Sequence, residues 1–168
     1  MKNLSIIILL CAIPAGLYSQ ELKVFEEWTT GNGVQEMFLE TFTETDASNN
    51  VYVGGATMNS SGDYDMILSK YNNRGVLLWT ETYAGTAGGD DVAAAMCFGT
   101  NGEIFVTGSV YAGSTNDNDC VVLCYDSSGN LDWDETFNGS ASFIDFGSDI
   151  IVDADNVIFV TGATSTTN

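Results

Sequence analysis

An internal repeat with a period of about 54 governs what this chain can fold into. Three segments match closely: Asn50-Val51-Tyr52-Val53-Gly54-Gly55-Ala56-Thr57, Glu103-Ile104-Phe105-Val106-Thr107-Gly108-Ser109-Val110 and Val157-Ile158-Phe159-Val160-Thr161-Gly162-Ala163-Thr164. Their shared glycines, Gly55, Gly108 and Gly162, are almost evenly spaced. A second pattern fills the interval. It reads Asp63-x-Asp65, Tyr71, Gly75, Trp79, Glu81, Thr82, Tyr83 and Gly85. It returns one period later as Asp117-x-Asp119, Tyr125, Gly129, Trp133, Glu135, Thr136, Phe137 and Gly139. Phe25, Glu27 and Gly31 carry the tail of an earlier copy, with Trp28 out of phase. Repeats of this length are single supersecondary units that bury their faces only by stacking on their neighbours.

Each period holds four strand-like runs. In the second they are Val92–Phe98, Ile104–Tyr111, 120–125 and Leu131–Phe137, with Asn101-Gly102 and the 127–130 segment as turns between them. The 120–124 run is apolar on both faces, as in a strand flanked and covered on both sides. Leu131–Phe137 alternates with acids and reads as an outer strand. Helical periodicity is missing, and the single proline lies at position 14. Four short antiparallel strands per repeat describe a β-propeller blade. The expected fold is therefore all-β, built of four-stranded antiparallel blades in an incomplete ring. Its parts are an outer strand at 22–31, blades at 34–85 and 90–139, and a partial blade at 145–166. Tyr52, Phe105 and Phe159, with Trp79 and Trp133, are expected to fill the layers between blades. The recurrent glycine is expected to allow a close backbone approach or a bend.

The segment Asp46-Ala47-x-x-Asn50-Val51-Tyr52-Val53-x-Gly55, then Asp63-x-Asp65 before a strand, then Lys70-Tyr71-Asn72-Asn73-Arg74-Gly75 running to Trp79, resembles the SBBP-type β-propeller repeats of secreted bacterial proteins. The likeness covers nearly the whole chain after residue 20. It implies an extracellular or surface-exposed, usually non-catalytic propeller, often joined to further modules. Two positions depart from the pattern: Cys124 stands where Lys70 does, and Gly99 where Asp46 and Asp153 do. About eleven strands fall short of the ~4–8 blades that close a ring. The chain therefore reads as part of a longer protein supplying the remaining blades. Self-association into a ring is the alternative.

Residues 1–20 read as a secretory signal peptide, with cleavage near Ser19 or Gln20. Lys2 precedes an almost wholly apolar run over 4–13, and small or polar residues follow. That run is shorter than the ~20 residues needed to span a bilayer. Lipidation at Cys11 is disfavoured because the large Leu10 precedes it. Removing this leader leaves three basic and 23 acidic groups, a soluble and strongly anionic chain. Nucleic acid, which needs clustered Lys and Arg, is excluded as a partner. The absence of histidine excludes Ser-His-Asp and Cys-His machinery and histidine metal sites. The cysteines left, Cys97, Cys120 and Cys124, are odd in number. Cys120 and Cys124 lie ~13 Å apart along one strand, beyond disulfide reach. All three read as small core residues.

The remaining chemistry rests on carboxylates and aromatics. Asp63, Asp65, Asp117 and Asp119 are candidate Ca²⁺ ligands, with Asp46, Asp153 and Asp155 in repeated turns beside them. None matches an EF-hand loop, and aspartates that cap turn amides explain the same pattern, so no cofactor is expected. Asp126 to Trp133 does not have the Asp-x-Gly-x-x-Trp spacing of a sialidase Asp-box. The glycines of 85–89 lack the lysine of a phosphate loop and read as an inter-blade loop. Trp28, Trp79, Trp133 and Tyr111 are candidates for a carbohydrate platform. Tyr111 stands out because its counterparts are Met58 and Ser165. Acids that recur from blade to blade point to structure rather than to one catalytic centre, so no catalytic residue is assigned. The expected function is a secreted, non-catalytic scaffold that binds glycan or protein. The alternative is a fragment of a secreted propeller-fold, carboxylate-dependent hydrolase such as a glycosidase.

Overall fold

The computed structural model describes residues 6–10, 23–27, 38–113, 117–140 and 144–165. It forms two units, residues 1–35 and 36–168. In the first, β1 (Ile6–Leu10) pairs antiparallel with β2 (Lys23–Glu27). Trp28 and the expected cleavage site lie outside the described residues.

The second unit is all-β. Strands β3 (Phe38–Thr45), β4 (Val51–Met58), β5 (Tyr64–Tyr71) and β6 (Leu77–Tyr83) form one antiparallel sheet in chain order. Strands β7 (Val92–Phe98), β8 (Ile104–Tyr111), β9 (Asn118–Tyr125) and β10 (Leu131–Phe137) form a second sheet of the same order. Strands β11 (Phe146–Val152) and β12 (Ile158–Ala163) begin the pattern a third time as a two-stranded sheet. The strands of the second repeat fall where the sequence pattern puts them, except that β9 starts two residues earlier, at Asn118. The apolar run of β9 lies between β8 and β10, and the acid-rich β10 is the exposed outer strand.

Six hairpin loops share one chemistry. They begin at Asp46, Asn59, Asn72, Gly99, Asp126 and Asp153, and in each the amide of the fourth residue donates to the carbonyl of the first. In all but the Gly99 loop, the side-chain oxygen of the first residue accepts the amides two and four positions on. This is the Asx-turn geometry that favours Asp and Asn at loop starts. The fourth residue takes a left-handed backbone, as at Gly129 (φ 92°) and Asn156 (φ 63°).

Gly99 lacks a capping side chain, and two other residues supply the acceptors. Glu103 Oε2 takes the Asn101 amide at 2.9 Å, and Asn156 Oδ1, from the next repeat, takes the Thr100 amide at 2.9 Å. A Cβ at Gly99 would sit 2.5 Å from that Glu103 oxygen, so the glycine makes room for the substitute cap. The second departure from the pattern is tied to the first. Lys70 lies 3.8 Å from Asp46 and over the Tyr52 ring, 5.0 Å from its centroid. The positions of Lys70 and Asp46 become Cys124 and Gly99 together, so both members of the ion pair are absent one repeat on.

The recurrent glycine marks a bulge. The register slips between Glu40 and Phe42, between Ala93 and Ala95, and between Gly147 and Asp149. In each case the residue before the slip faces Gly55, Gly108 or Gly162. A Cβ at Gly108 would collide with the Val92 carbonyl oxygen, and one at Gly162 with that of Phe146. The bulge bends the first strand of each repeat against a neighbour that must be bare.

The core lies between successive sheets. Tyr52, Met66 and Leu68 of the first sheet pack with Ala93, Met96, Ile104, Val106, Val121 and Leu123 of the second. Tyr52 meets Phe98 edge-on at 5.0 Å and Trp79 at 5.8 Å. Gly129 covers Trp79 so closely that a Cβ there would lie 3.0 Å from the indole. One repeat on, Phe105 packs with Cys124 and Ile150 and lies 5.9 Å from Trp133. Tyr52 and Phe105 thus fill inter-sheet layers, as the sequence leads one to expect. Phe159, their counterpart on β12, is 50% exposed.

Candidate functional site

Two buried aspartates outside the matched repeat positions fix the ends of the stacked sheets. Asp91 Oδ2 accepts the Gly85 amide at 2.6 Å, at the exit of β6. Its Oδ1 accepts the Tyr111 amide at 2.8 Å, at the end of β8. Its own amide donates to the Tyr64 carbonyl at 2.7 Å, at the start of β5. Asp145 makes all three contacts again one repeat on, with Gly139 (2.6 Å), Ser165 (3.0 Å) and the Asn118 carbonyl (2.6 Å). Each carboxylate therefore ties one repeat to the next by charge-assisted hydrogen bonds. The signal available in the sequence is that Asp91 and Asp145 stand one full period apart. It is masked in the first repeat, where the equivalent positions hold the apolar Met37 and Phe38.

The two staples differ in their electrostatics. Burial raises the Asp91 carboxyl above its usual range. The Gly85 and Tyr111 amides oppose that shift, and the neighbouring charges of Asp65 and Asp90 add to it. The Asp145 carboxyl is lowered, first by the Thr164 hydroxyl and then by the Gly139 amide.

Beside the Asp91 staple lies an open groove of about 580 Å³, lined by Asp63, the 88–90 segment, Tyr111, Asn118 and Ile144. The staple builds it: Asp91 holds the Tyr111 amide, and Asp90 Oδ1 accepts the Tyr64 amide at 2.9 Å. Gly89 (φ 112°) lies against the Tyr111 ring, where a Cβ would come within 2.5 Å. The structure thus brings together three features that the sequence presents separately: Tyr111, the glycine-rich 85–89 loop and Asp63. The walls offer carboxylate and amide groups beside an aromatic ring. That set accepts hydrogen bonds from hydroxyl-rich ligands and repels anions.

The other aspartates divide by role. Asp46, Asp126 and Asp153 cap their own loops. For Asp46, burial raises the carboxyl, but the Asn50 and Ser48 donors and Lys70 outweigh it, and the net shift is downward. Asp155 donates its amide to Asp153. Asp65 Oδ1 accepts from the Asn59 amide group at 2.9 Å. Asp119 Oδ1 is buried without a hydrogen-bond partner among the described residues. Burial, then the charges of Asp117 and Asp145, raise its pKa. Among the described residues no three acidic or cysteine side chains cluster so as to hold a metal ion.

Trp79 is partly buried and packs against the core, whereas Trp133 is 39% exposed on the outer strand. Neither lies on the groove, so the structure brings neither to Tyr111. Cys97, Cys120 and Cys124 are free thiols. Cys97 and Cys124 flank Phe105 across three adjacent strands, so ~10 Å separates them. Burial pushes the thiols of both up to about 11. No described helix is long and apolar enough to cross a membrane.

No protein-family model matches this chain, and no curated protein matches it.

Proposed function

We propose that this chain carries blades of a secreted, SBBP-type β-propeller scaffold that binds glycan without catalysis, through the groove at Tyr111. The observation that carries this reading is the groove itself. A tyrosine without an aromatic counterpart in the other repeats is held by a buried inter-repeat staple, beside the carboxylates of Asp63 and Asp90. Sugars are recognised by a ring face for their C–H surface and by carboxylates and amides for their hydroxyls. The propeller assignment is supported by two four-stranded sheets stacked in register, with a third begun on the same pattern. The secretion assignment rests on the leader at 1–20.

The test is an array of neutral oligosaccharides, probed with the wild-type chain and with Tyr111→Ala, and followed by titration calorimetry on any glycan retained. The expected result is binding that Tyr111→Ala weakens at least about tenfold, equivalent to ~1.4 kcal/mol. Retention unchanged by the substitution, or none at all, overturns the groove reading. Release of new reducing ends from a bound glycan would favour the hydrolase alternative.

A further inference from the structure

The groove beside Asp91 departs from the repeat at two positions. Asp91 and Asp145 make the same three backbone contacts, so the surroundings of the two staples can be compared position by position. Beside Asp91 stand Asp63, Asp90 and Tyr111. One repeat on, the same positions hold Asp117, Ile144 and Ser165. An acid and a ring are therefore present at one staple and replaced at the next. The scaffold does not require them, since Asp145 makes its contacts without either.

The charge around the groove is all of one sign. Asp90 Oδ1 accepts the Tyr64 amide at 2.9 Å, which sets that carboxylate against the residue next to Asp63. The charges of Asp65 and Asp90 add to the burial that raises the Asp91 carboxyl, so the negative field reaches the staple. Residues 36–168 contain two basic groups, Lys70 and Arg74. Lys70 lies at the end of β5, against Asp46 and Tyr52, and Arg74 follows in the loop after that strand. Asp63 precedes the same strand at its other end, ~23 Å from Lys70 along the chain. Among the described residues neither Asp63 nor Asp90 forms an ion pair.

We propose that the ligand of this groove is a glycan of cationic amino sugars, with an ammonium group met by the carboxylates of Asp63 and Asp90 and a sugar ring packed on Tyr111. The inference rests on the reading of the groove as a glycan site and narrows it. A neutral hydroxyl gives these carboxylates an ordinary hydrogen bond, whereas an ammonium group gives them charge-assisted ones. The Tyr111 ring adds to the preference, because an aromatic face attracts a cation. Sugars that carry carboxylate or sulfate are repelled. The chain as a whole is strongly anionic and draws any cation to its surface, so the test separates the charge of the groove from that of the rest.

The test is titration calorimetry of the full chain with oligomers of glucosamine and of N-acetylglucosamine of equal length. The measurement is made at about pH 5.5, where carboxylates are ionised and the free amine is protonated. The two ligands share a backbone and differ in charge. The expected result is at least about tenfold tighter binding of the glucosamine oligomer, a preference lost on raising the salt from about 0.05 to about 0.5 M. Asp63→Asn/Asp90→Asn should remove the preference and leave the neutral oligomer bound as before. Asparagine at position 90 keeps the oxygen that accepts the Tyr64 amide. Asp132→Asn/Asp155→Asn removes the same charge from exposed positions and should change neither affinity. Should the groove double variant fail to fold, Asp90→Asn alone decides. Equal affinity for the two oligomers overturns the proposal and leaves the glycan reading standing. Binding of neither oligomer, with none of a neutral glycan array retained, overturns both. A preference that survives Asp63→Asn/Asp90→Asn, or a linear polyamine bound as tightly as the glucosamine oligomer, overturns the amino-sugar assignment.

Discussion

The carboxylate of Asp91 lies 2.6 Å from the amide of Gly85, in the preceding repeat, and its other oxygen holds Tyr111 in its own. Both oxygens are acceptors facing N–H groups, a demand that asparagine cannot meet. In Asp91→Asn one oxygen becomes an NH₂ group, which meets a backbone donor head-on. A buried amide left unsatisfied costs ~1–3 kcal/mol. The variant should lose about that much stability in urea unfolding, with an unchanged dependence on denaturant. Asp90→Asn, whose bond to Tyr64 is exposed, should lose less than ~1 kcal/mol. Equal losses in the two variants would remove Asp91 from its role as the staple.

Stability should vary with pH in two opposed ways. Asp91 and Asp119 have folded-state pKa values above the ordinary 3.8. The folded chain then binds more protons than the unfolded chain, so these groups lower stability as pH rises from 3.8 through their folded values. Asp46, Asp126 and Asp145 lie below 3.8, and Glu103 below 4.5. Their contribution is complete above those values and is lost as pH falls through the folded pKa. The urea midpoint should therefore pass through a maximum at about pH 4 and drop steeply below it. In Asp91→Asn the decline on the neutral side should be shallower than in the wild type.

The repetition of four-strand units is legible in the sequence because period-two alternation and turn residues are local signals, and copying makes them louder. The chemistry of the loops is legible too: the pattern admits Asp46 and Asp153 as amide caps or as metal ligands, and they cap. The loss of Asp46 and Lys70 together one repeat on, as Gly99 and Cys124, reads in the sequence as two unrelated departures. Only the contact between Lys70 and Asp46 makes them one change. Asp91 and Asp145 escape notice because a lone acid at a strand entrance carries no local pattern. The partners of Asp91 lie on either side of it, Gly85 in the preceding repeat and Tyr111 two strands on, and only folding brings them together. The groove is hidden for the same reason, since it joins Asp63, Gly89 and Tyr111 through the stacking of one repeat on another.

Gly108 tests whether the bulge, rather than the glycine's flexibility alone, shapes each repeat. Its backbone does not take the left-handed conformation that would itself demand glycine. Its constraint is space: an added Cβ would run into the Val92 carbonyl opposite the slip between Ala93 and Ala95. Gly108→Ala should therefore force β7 away from β8 and cost ~1–3 kcal/mol, as overpacking does in tight interiors. Gly102→Ala is the useful contrast. Nothing lies within 4 Å of its added Cβ, but its φ of 90° is left-handed, so its cost comes from backbone strain confined to the loop. In hydrogen exchange, Gly108→Ala should speed the amides of β7, and with them the packing of Ala93 and Met96 on the first sheet. Gly102→Ala should disturb only the 99–103 loop. If Gly108→Ala left β7 protected, the close approach at the recurrent glycine would not be what holds the first strand of each repeat in place.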